Sequence, residues 1–421
     1  MQTGDSGRTA GDLLSDVGGV WNKDKREDRN MEIQMYNMGL GECFLLEDGT
    51  EKLAVNCGTR NKRINGADSG EIYREIQDRA AEEGYDLLIT QFDPEHISGF
   101  LQTGRVRPGD GIRTVYLPDL FSERWMNEVL ALLLLQDLSR GGFLPGKAVT
   151  LTSLMEVLLT FPGRLCFLKR GESIGGRYQV LWPQKDGLKA EMEQTLKSAG
   201  ILDAFYEQDR CMWRELVRVS SRMREIYMRL LAISRSADVP RNEEGIPVEL
   251  EEDIKNFRSD FRKLRRNERF LGMVERCQKH LEILKAFHDR TGLIFHTRED
   301  GSRNFLYTGN TWKERAAWLA ANEDGLAGLH REYWCITLPG HGTDACYWDF
   351  SEYAPKHFLV SNGYVAGQEN GKVSGRYSGM FAVPDVTMHC TSADWCEGRR
   401  NGICSCWSAQ ITSPHHYSVI R

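Results

Sequence analysis

The chain has no histidine between His96 and His280, and it has no Cys-x2-Cys pair. No apolar run approaches the ~20 residues that a bilayer-crossing helix needs. The opening residues, MQTGDSGRTAGDLL, lack the charged segment and apolar core of a secretory signal. Positive charge is not in excess either, since the net charge is −6. These absences exclude a membrane-spanning helix and make a cytoplasmic protein, with no membrane partner, the expectation. The negative balance argues against general coating of nucleic acid, although a local basic groove remains open to it. In a reducing compartment most of the 11 cysteines are expected to be free buried thiols.

What is present suits an ordinary soluble α/β chain. The 421 residues allow two or three domains, or one large α/β unit with an insertion. With 41% hydrophobic and 27% charged residues, the chain can bury a core. Residues 1–30 are polar and read as a flexible arm. From Met31 the pattern alternates. MEIQMYNM leads into GLGECFLLEDGTEKLAVNCG, which predicts a hairpin around Glu47-Asp48-Gly49-Thr50. Residues 68–84 predict a helix, with Ile72, Ile76 and Ala80 on one face and Gly84 ending it.

The most informative stretch is DLLITQFDPEHISGF, residues 86–100. Leu87 to Thr90 read as a short buried strand. Gln91, Asp93, Glu95 and His96 then stand together on a loop, with Gly99 expected to form a tight turn. Beyond it the pattern predicts a strand at Thr114–Leu117, helices at 123–138 and 151–160, and a strand pair within Arg164–Leu181.

About a hundred residues of helical character follow. Trp213, Leu216, Met223, Ile226 and Leu230 recur at helical spacing, as do Ile254, Phe257, Phe261, Leu264, Leu271, Val274, Leu281 and Leu284. The loop SADVPRNEEGIP separates the two sets, which predicts a long antiparallel helical hairpin. It carries the cluster Arg258, Arg262, Lys263, Arg265, Arg266 and Arg269, read either as a solvated face or as a surface for a partner protein or a phosphate. Two strands, TGLIFHT and NFLYTGN, resume the sheet pattern, and the helix WKERAAWLAANEDGL follows them. Near the end, His389, Cys390, Cys396, Cys404 and Cys406 fall within HCTSADWCEGRRNGICSC. That spacing suits either a structural zinc or reduced cysteines on paired strands.

These motifs resemble the metallo-β-lactamase fold superfamily, in particular the soluble relatives of the DNA-uptake (competence) channel's metallo-β-lactamase domain. The family signature is a strand ending in T-H-x-H-x-D-H. Gln91 stands at its first His and Asp93 at its second. Glu95 stands at its Asp, and His96 is kept. Val55-Asn56-Cys57-Gly58 stands where the family has I-D-x-G, and Asn310 replaces the Asp of T-G-D. The turn Leu338-Pro339-Gly340-His341-Gly342-Thr343 resembles v-p-H-H-G-S, with one His surviving as His341, and FLVSNG at 358–363 matches the strand after it. The resemblance implies an αββα sandwich in two halves, 31–184 and 291–421, with the helical hairpin inserted over 185–290.

A working site of this family holds one or two zinc or manganese ions on His and Asp, and the ion makes a hydroxide from bound water. What survives is Asp93, Glu95, His96 and His341, with Asn310 as a weak donor; the family's mid-domain His has no local counterpart. Two readings follow. One is an eroded, non-catalytic binding or scaffold component that docks a partner through the insertion. Relatives with helical insertions occur in bacterial multi-gene anti-phage systems, so a multi-protein bacterial setting is part of this reading. The other is a one-metal phosphodiesterase or nuclease. There Asp93, His96, His341 and Asn310 would hold one Zn, Mn or Mg ion, and Glu95 would serve as base or ligand.

Overall fold

A computed structural model describes residues 31–421 except 40, 65–66, 103–111, 140–149, 199–209, 237, 278–279, 323–324, 363–372 and 392–416. The arm expected over 1–30 lies outside the described residues, as do Cys396, Cys404 and Cys406.

The alternation from Met31 produces an antiparallel meander: β1 (Met31–Tyr36), β2 (Gly41–Asp48) and β3 (Glu51–Thr59). A ribbon of β4 (Arg63–Ile64) and β5 (Ala67–Asp68) leads to helix α1 (Ser69–Glu83). Asp68 caps that helix by accepting from the Gly70 amide, and Gly84 closes it in the left-handed conformation. Then come β6 (Asp86–Leu88), α2 (Pro94–Gln102), β7 (Thr114–Pro118), α3 (Met126–Asp137), α4 (Thr150–Leu159) and β8 (Arg164–Leu168). The chain crosses over into β9 (Ser173–Ile174) and β10 (Tyr178–Trp182). After the helical segment it adds β11 (Ile294–Thr297), β12 (Phe305–Tyr307), helix α10 (Lys313–Ala321), β13 (Cys335–Thr337), β14 (His357–Val360), β15 (Thr387–Cys390) and β16 (Tyr417–Ile420).

Two seven-stranded sheets result. Their orders are β16-β1-β2-β3-β6-β7-β8 and β15-β14-β13-β12-β11-β10-β9, and each mixes parallel and antiparallel pairs. The pair expected within Arg164–Leu181 is therefore split, with β8 in the first sheet and β10 in the second. Both are five-residue stretches of mostly apolar residues, which read the same whether they form a hairpin or a crossover; Gly171, at φ +87°, makes the turn between them. One apolar cluster holds Ile33, Phe44, Leu53 and Val55 of the first sheet with Val180, Phe295, Tyr307 and Leu359 of the second, so these two faces look at each other. The alternate residues, such as Leu45, Ala54 and Leu87 in one sheet and Ile294, Leu306 and Phe358 in the other, join a larger cluster with the helices.

The segment between the sheets is more integrated than a hairpin. It comprises α5 (Lys185–Ser198), α6 (Arg210–Ile233), α7 (Glu251–Arg265), α8 (Glu268–Cys277) and α9 (Leu281–Asp289). The expected second arm is interrupted near Asn267, whose side-chain oxygen accepts from the Arg269 and Phe270 amides and so starts a new helix. Trp213, Leu216, Met223 and Leu230 belong to the same core as α3 and α4. Tyr227 stacks on Phe121 with ring centroids 4.2 Å apart and donates to the Leu151 carbonyl at 2.9 Å. Among the described residues no helix is long and apolar enough to cross a membrane.

Candidate functional site

The stretch after β6 is set by backbone needs before any chemistry. Asp93 is the N-cap of α2. Its Oδ1 accepts from the Glu95 amide at 2.9 Å, and its carbonyl accepts from the His96 and Ile97 amides. Pro94 follows at the first helical position, where its missing N–H costs nothing. Glu95 and His96 thus lie on a helix rather than a loop. Gly99 sits inside that helix and not in a tight turn. A Cβ there would meet the Cys57 carbonyl at 2.6 Å, and one on Gly58 would meet the α2 backbone at 2.6 Å. The two glycines let the helix lie against β3, which aims its N-terminus at the cleft.

Three partners converge on that N-terminus. His96 Nδ1 lies 2.7 Å from Asp93 Oδ1, with both side chains buried. His288, in the last turn of α9, places Nδ1 3.9 Å from Asp93 Oδ2. Asp289 follows it. Asp93, His288 and Asp289 each bring a ligand-type atom within 4.8 Å of the others, and they form the one such group among the described residues. His288 and Asp289 are the residues that sequence reasoning missed. The available signal was a His-Asp pair ending the last helix before the sheet resumes. His288 and Asp289 reach Asp93 from nearly two hundred residues further along the chain.

Two carboxamides sit across the group. Gln91 Nε2 is 3.2 Å from His288 Nδ1 and 3.0 Å from Asp289 Oδ1. Asn310 Nδ2 is 3.1 Å from the same Asp289 oxygen and 3.3 Å from Gln91 Oε1. Because His288 Nε2 faces the Phe92 carbonyl at 3.2 Å, its N–H is on Nε2 and Nδ1 carries the lone pair. Gln91 therefore donates one N–H to each of the two lone pairs that an ion would take. A histidine and two carboxylates suit Zn or Mn, but these donors are already committed. Gln91 sits on the His288 Nδ1 and Asp289 Oδ1 atoms that an ion here would share.

The other half of the cleft is tied in the same manner. Glu95 accepts from Arg60 Nε at 2.7 Å and faces His341 Nε2 at 3.8 Å. His341 is held by the Ser361 carbonyl, 2.6 Å from Nδ1. It occupies a left-handed backbone conformation, φ +60°, directly after Gly340 at φ +54°. That is uncommon for a non-glycine residue and fixes the imidazole toward Glu95. Of the four expected ligands, only Asp93 belongs to the metal-type group. His96 and Asn310 stand around it as hydrogen-bond partners of Asp93 and Asp289, and His341 faces Glu95.

Burial opposes charge here, and neighbours decide the outcome. Burial alone would raise Asp93, yet His96, with Arg60 beyond it, holds its carboxyl well below the usual range. Burial would lower His96, but Asp93 overrides it and lifts the imidazole to about 9. Glu95 is lowered by His341 and Arg60 against the pull of burial, and His341 is raised by Glu95. Asp289 is pushed up to about 6, first by burial and then by the Asp93 charge. The positive charge in this cleft thus comes from Arg60 and protonated His96.

Asn56 plays a different part from the carboxylate expected to support a metal. Its Oδ1 accepts from the Thr90 amide at 2.9 Å, and its Nδ2 donates to Glu42 Oε1 at 2.7 Å. The Tyr307 hydroxyl also donates to Glu42. This network pins the end of β6 to the second sheet.

On the insertion, Arg258 pairs with Glu156 at 2.9 Å, Arg218 and Arg222 both bind Asp260, and Arg265 lies over the Phe261 ring. Arg262, Arg266 and Arg269 are exposed. Cys390 is fully buried in the larger core, whereas His389 flanks it on the opposite strand face. No family model matches the chain, and no curated protein matches it significantly.

Proposed function

We propose that this chain is a metallo-β-lactamase-type sandwich whose ion positions are taken by its own side chains, and that it acts as a binding component rather than a hydrolase. Two sheets sharing an inner core, with helices packed on the alternate faces, support the fold reading. The observation that carries the functional reading is Gln91 Nε2, which lies between His288 Nδ1 and Asp289 Oδ1 at 3.2 and 3.0 Å. A neutral amide there satisfies the lone pairs an ion would need, and Arg60 does the same for Glu95. The partner is a protein, and the exposed Arg262 and Arg266 favour one with acidic groups.

The second reading, a one-metal phosphodiesterase, rests on the compact group of Asp93, His288 and Asp289. The deciding experiment compares tag-free wild type with Asp93→Ala/His288→Ala. Metal content is measured by mass spectrometry, and phosphodiester turnover is measured with added Mn2+ or Zn2+. Equal metal content in both proteins and no turnover are expected. Metal and turnover that both vanish in the variant would replace the binding reading with the hydrolase.

A further inference from the structure

The helical segment carries its surface charge in two separate patches. α6 and α7 run antiparallel, since Arg218 and Arg222 bind Asp260 while Arg229 binds Asp253. At one end Arg214 and Arg218 of α6 stand with Arg262, Lys263 and Arg266 at the end of α7, all exposed. At the other end Asp238, Glu243, Glu244, Glu249, Glu251 and Glu252 are exposed. Arg241 is the one cation in that stretch, and it donates to the carbonyls of Leu159, Phe161 and Gly245.

Helix dipoles account for only part of this segregation. Acids at the start of α7 and bases at its end complement its dipole. In α6 the sign is reversed: Arg210 stands in a first turn that holds no acid, and Arg214 follows it. Asp238, Glu243 and Glu244 lie outside both helices. Gathering like charge at each end costs repulsion within one copy, and an oppositely charged surface relieves it.

The acidic end also has a seat for a basic side chain. An open cavity of about 520 Å³ is walled by Ala232, Ile233, Val239, Pro240 and Val248, with Asp238 and Glu249 beside them. Val248 is 50% exposed, so its wall has apolar surface left to cover. Apolar walls with two carboxylates fit the aliphatic stem and charged head of an arginine. Glu252, Asn256, Lys263 and Arg266 are exposed at steps of four, seven and three along α7 and its C-cap, which puts them on one stripe. The acidic and basic ends of that stripe are about 21 Å apart at 1.5 Å per residue. A two-fold axis near Ser259 would lay the basic patch of each copy on the acidic patch of the other, so that both contacts form at once.

We infer that the α6–α7 face is a self-association surface, on which a second copy of this chain docks antiparallel with Arg262 and Arg266 against Asp238, Glu249 and Glu252. This rests on the reading of the helical segment as a docking surface, and it names the occupant of that surface.

The test is sedimentation velocity on tag-free full-length protein at tens of micromolar. It is run in about 0.1 M and about 1 M salt, between which the screening length falls from about 10 Å to about 3 Å. Wild type should be dimeric in the lower salt and shift toward monomer in the higher. Arg262→Glu/Arg266→Glu reverses the basic end of α7, and Glu249→Lys/Glu252→Lys reverses the acidic end. Each variant alone should dimerise at least about tenfold more weakly than wild type. An equimolar mixture of the two should recover dimers, because each reversed end then meets its complement, and circular dichroism checks that both are folded. A wild type that is monomeric in the lower salt would overturn the inference and leave the surface to a different protein. Dimers that persist at full strength in both variants, or a mixture that stays monomeric, would overturn it too. Metal content and phosphodiester turnover play no part in this readout, so the choice between binding component and hydrolase is decided separately.

Discussion

His96 Nδ1 and Asp93 Oδ1 face each other at 2.7 Å inside a cleft where each is almost wholly buried. The pair has a definite pH signature. The folded value of His96 is lifted to about 9, above the unfolded value of about 6.5. Its contribution is fully present below pH 6.5 and is lost as pH rises through 9, with an upper limit on the order of 3 kcal/mol. The urea midpoint should fall between pH 6.5 and 10. His96→Gln should flatten most of that slope, and His341, shifted in the same direction, would account for the remainder.

Gln91→His is expected to create a metal site where wild type has none. The new imidazole would replace the amide that spans His288 and Asp289, giving two histidines beside two carboxylates. Zn2+ should then raise the melting temperature of Gln91→His, through binding to the folded state, by more than it raises that of wild type. If Zn2+ shifts both proteins equally, the amide is not what keeps the ion out.

Asn56→Asp, which puts a carboxylate at this buried position, should be harmful here. It would bury an acid against the Glu42 carboxyl and remove one of the two donors that Glu42 accepts from. A cost of about 3 kcal/mol or more is expected from chemical denaturation, and Glu42→Gln in the same chain should recover much of it. Additive costs in the double variant would rule out this coupling.

The helical segment should unfold together with the sheets. Tyr227→Ala removes a ring stacked on Phe121 and a bond to Leu151, and should cost about 3–5 kcal/mol. Calorimetry of wild type should show one transition. A separate early transition for the insertion would contradict the shared core.

Much of this was legible in the chain. Period-two runs gave the meander from Met31, and Asp68 and Gly84 bracketed α1 correctly. The grouping of Asp93, Glu95, His96, Asn310 and His341 in one cleft followed from their placement in recognisable motifs. The partners of those residues were not legible. Gln91 reads as a poor ligand in sequence, yet its work is to donate to His288, nearly two hundred residues away. Long-range pairing of that kind leaves no local pattern. The split of β8 from β10 was hidden for a related reason, since a short apolar strand reads the same in either sheet.

The first sheet ends with β16 laid antiparallel on β1, with Ile33 opposite Ile420. Strands drawn from opposite ends of the described chain complete one sheet, so during synthesis this edge of β1 stays open until β16 has been made. In that interval its buried face of Ile33 and Met35 and its unpaired amides form a natural grip for chaperones, or for another copy of the same nascent strand. Expression yield should therefore respond sharply to changes in residues 417–420, although they lie far from any chemistry.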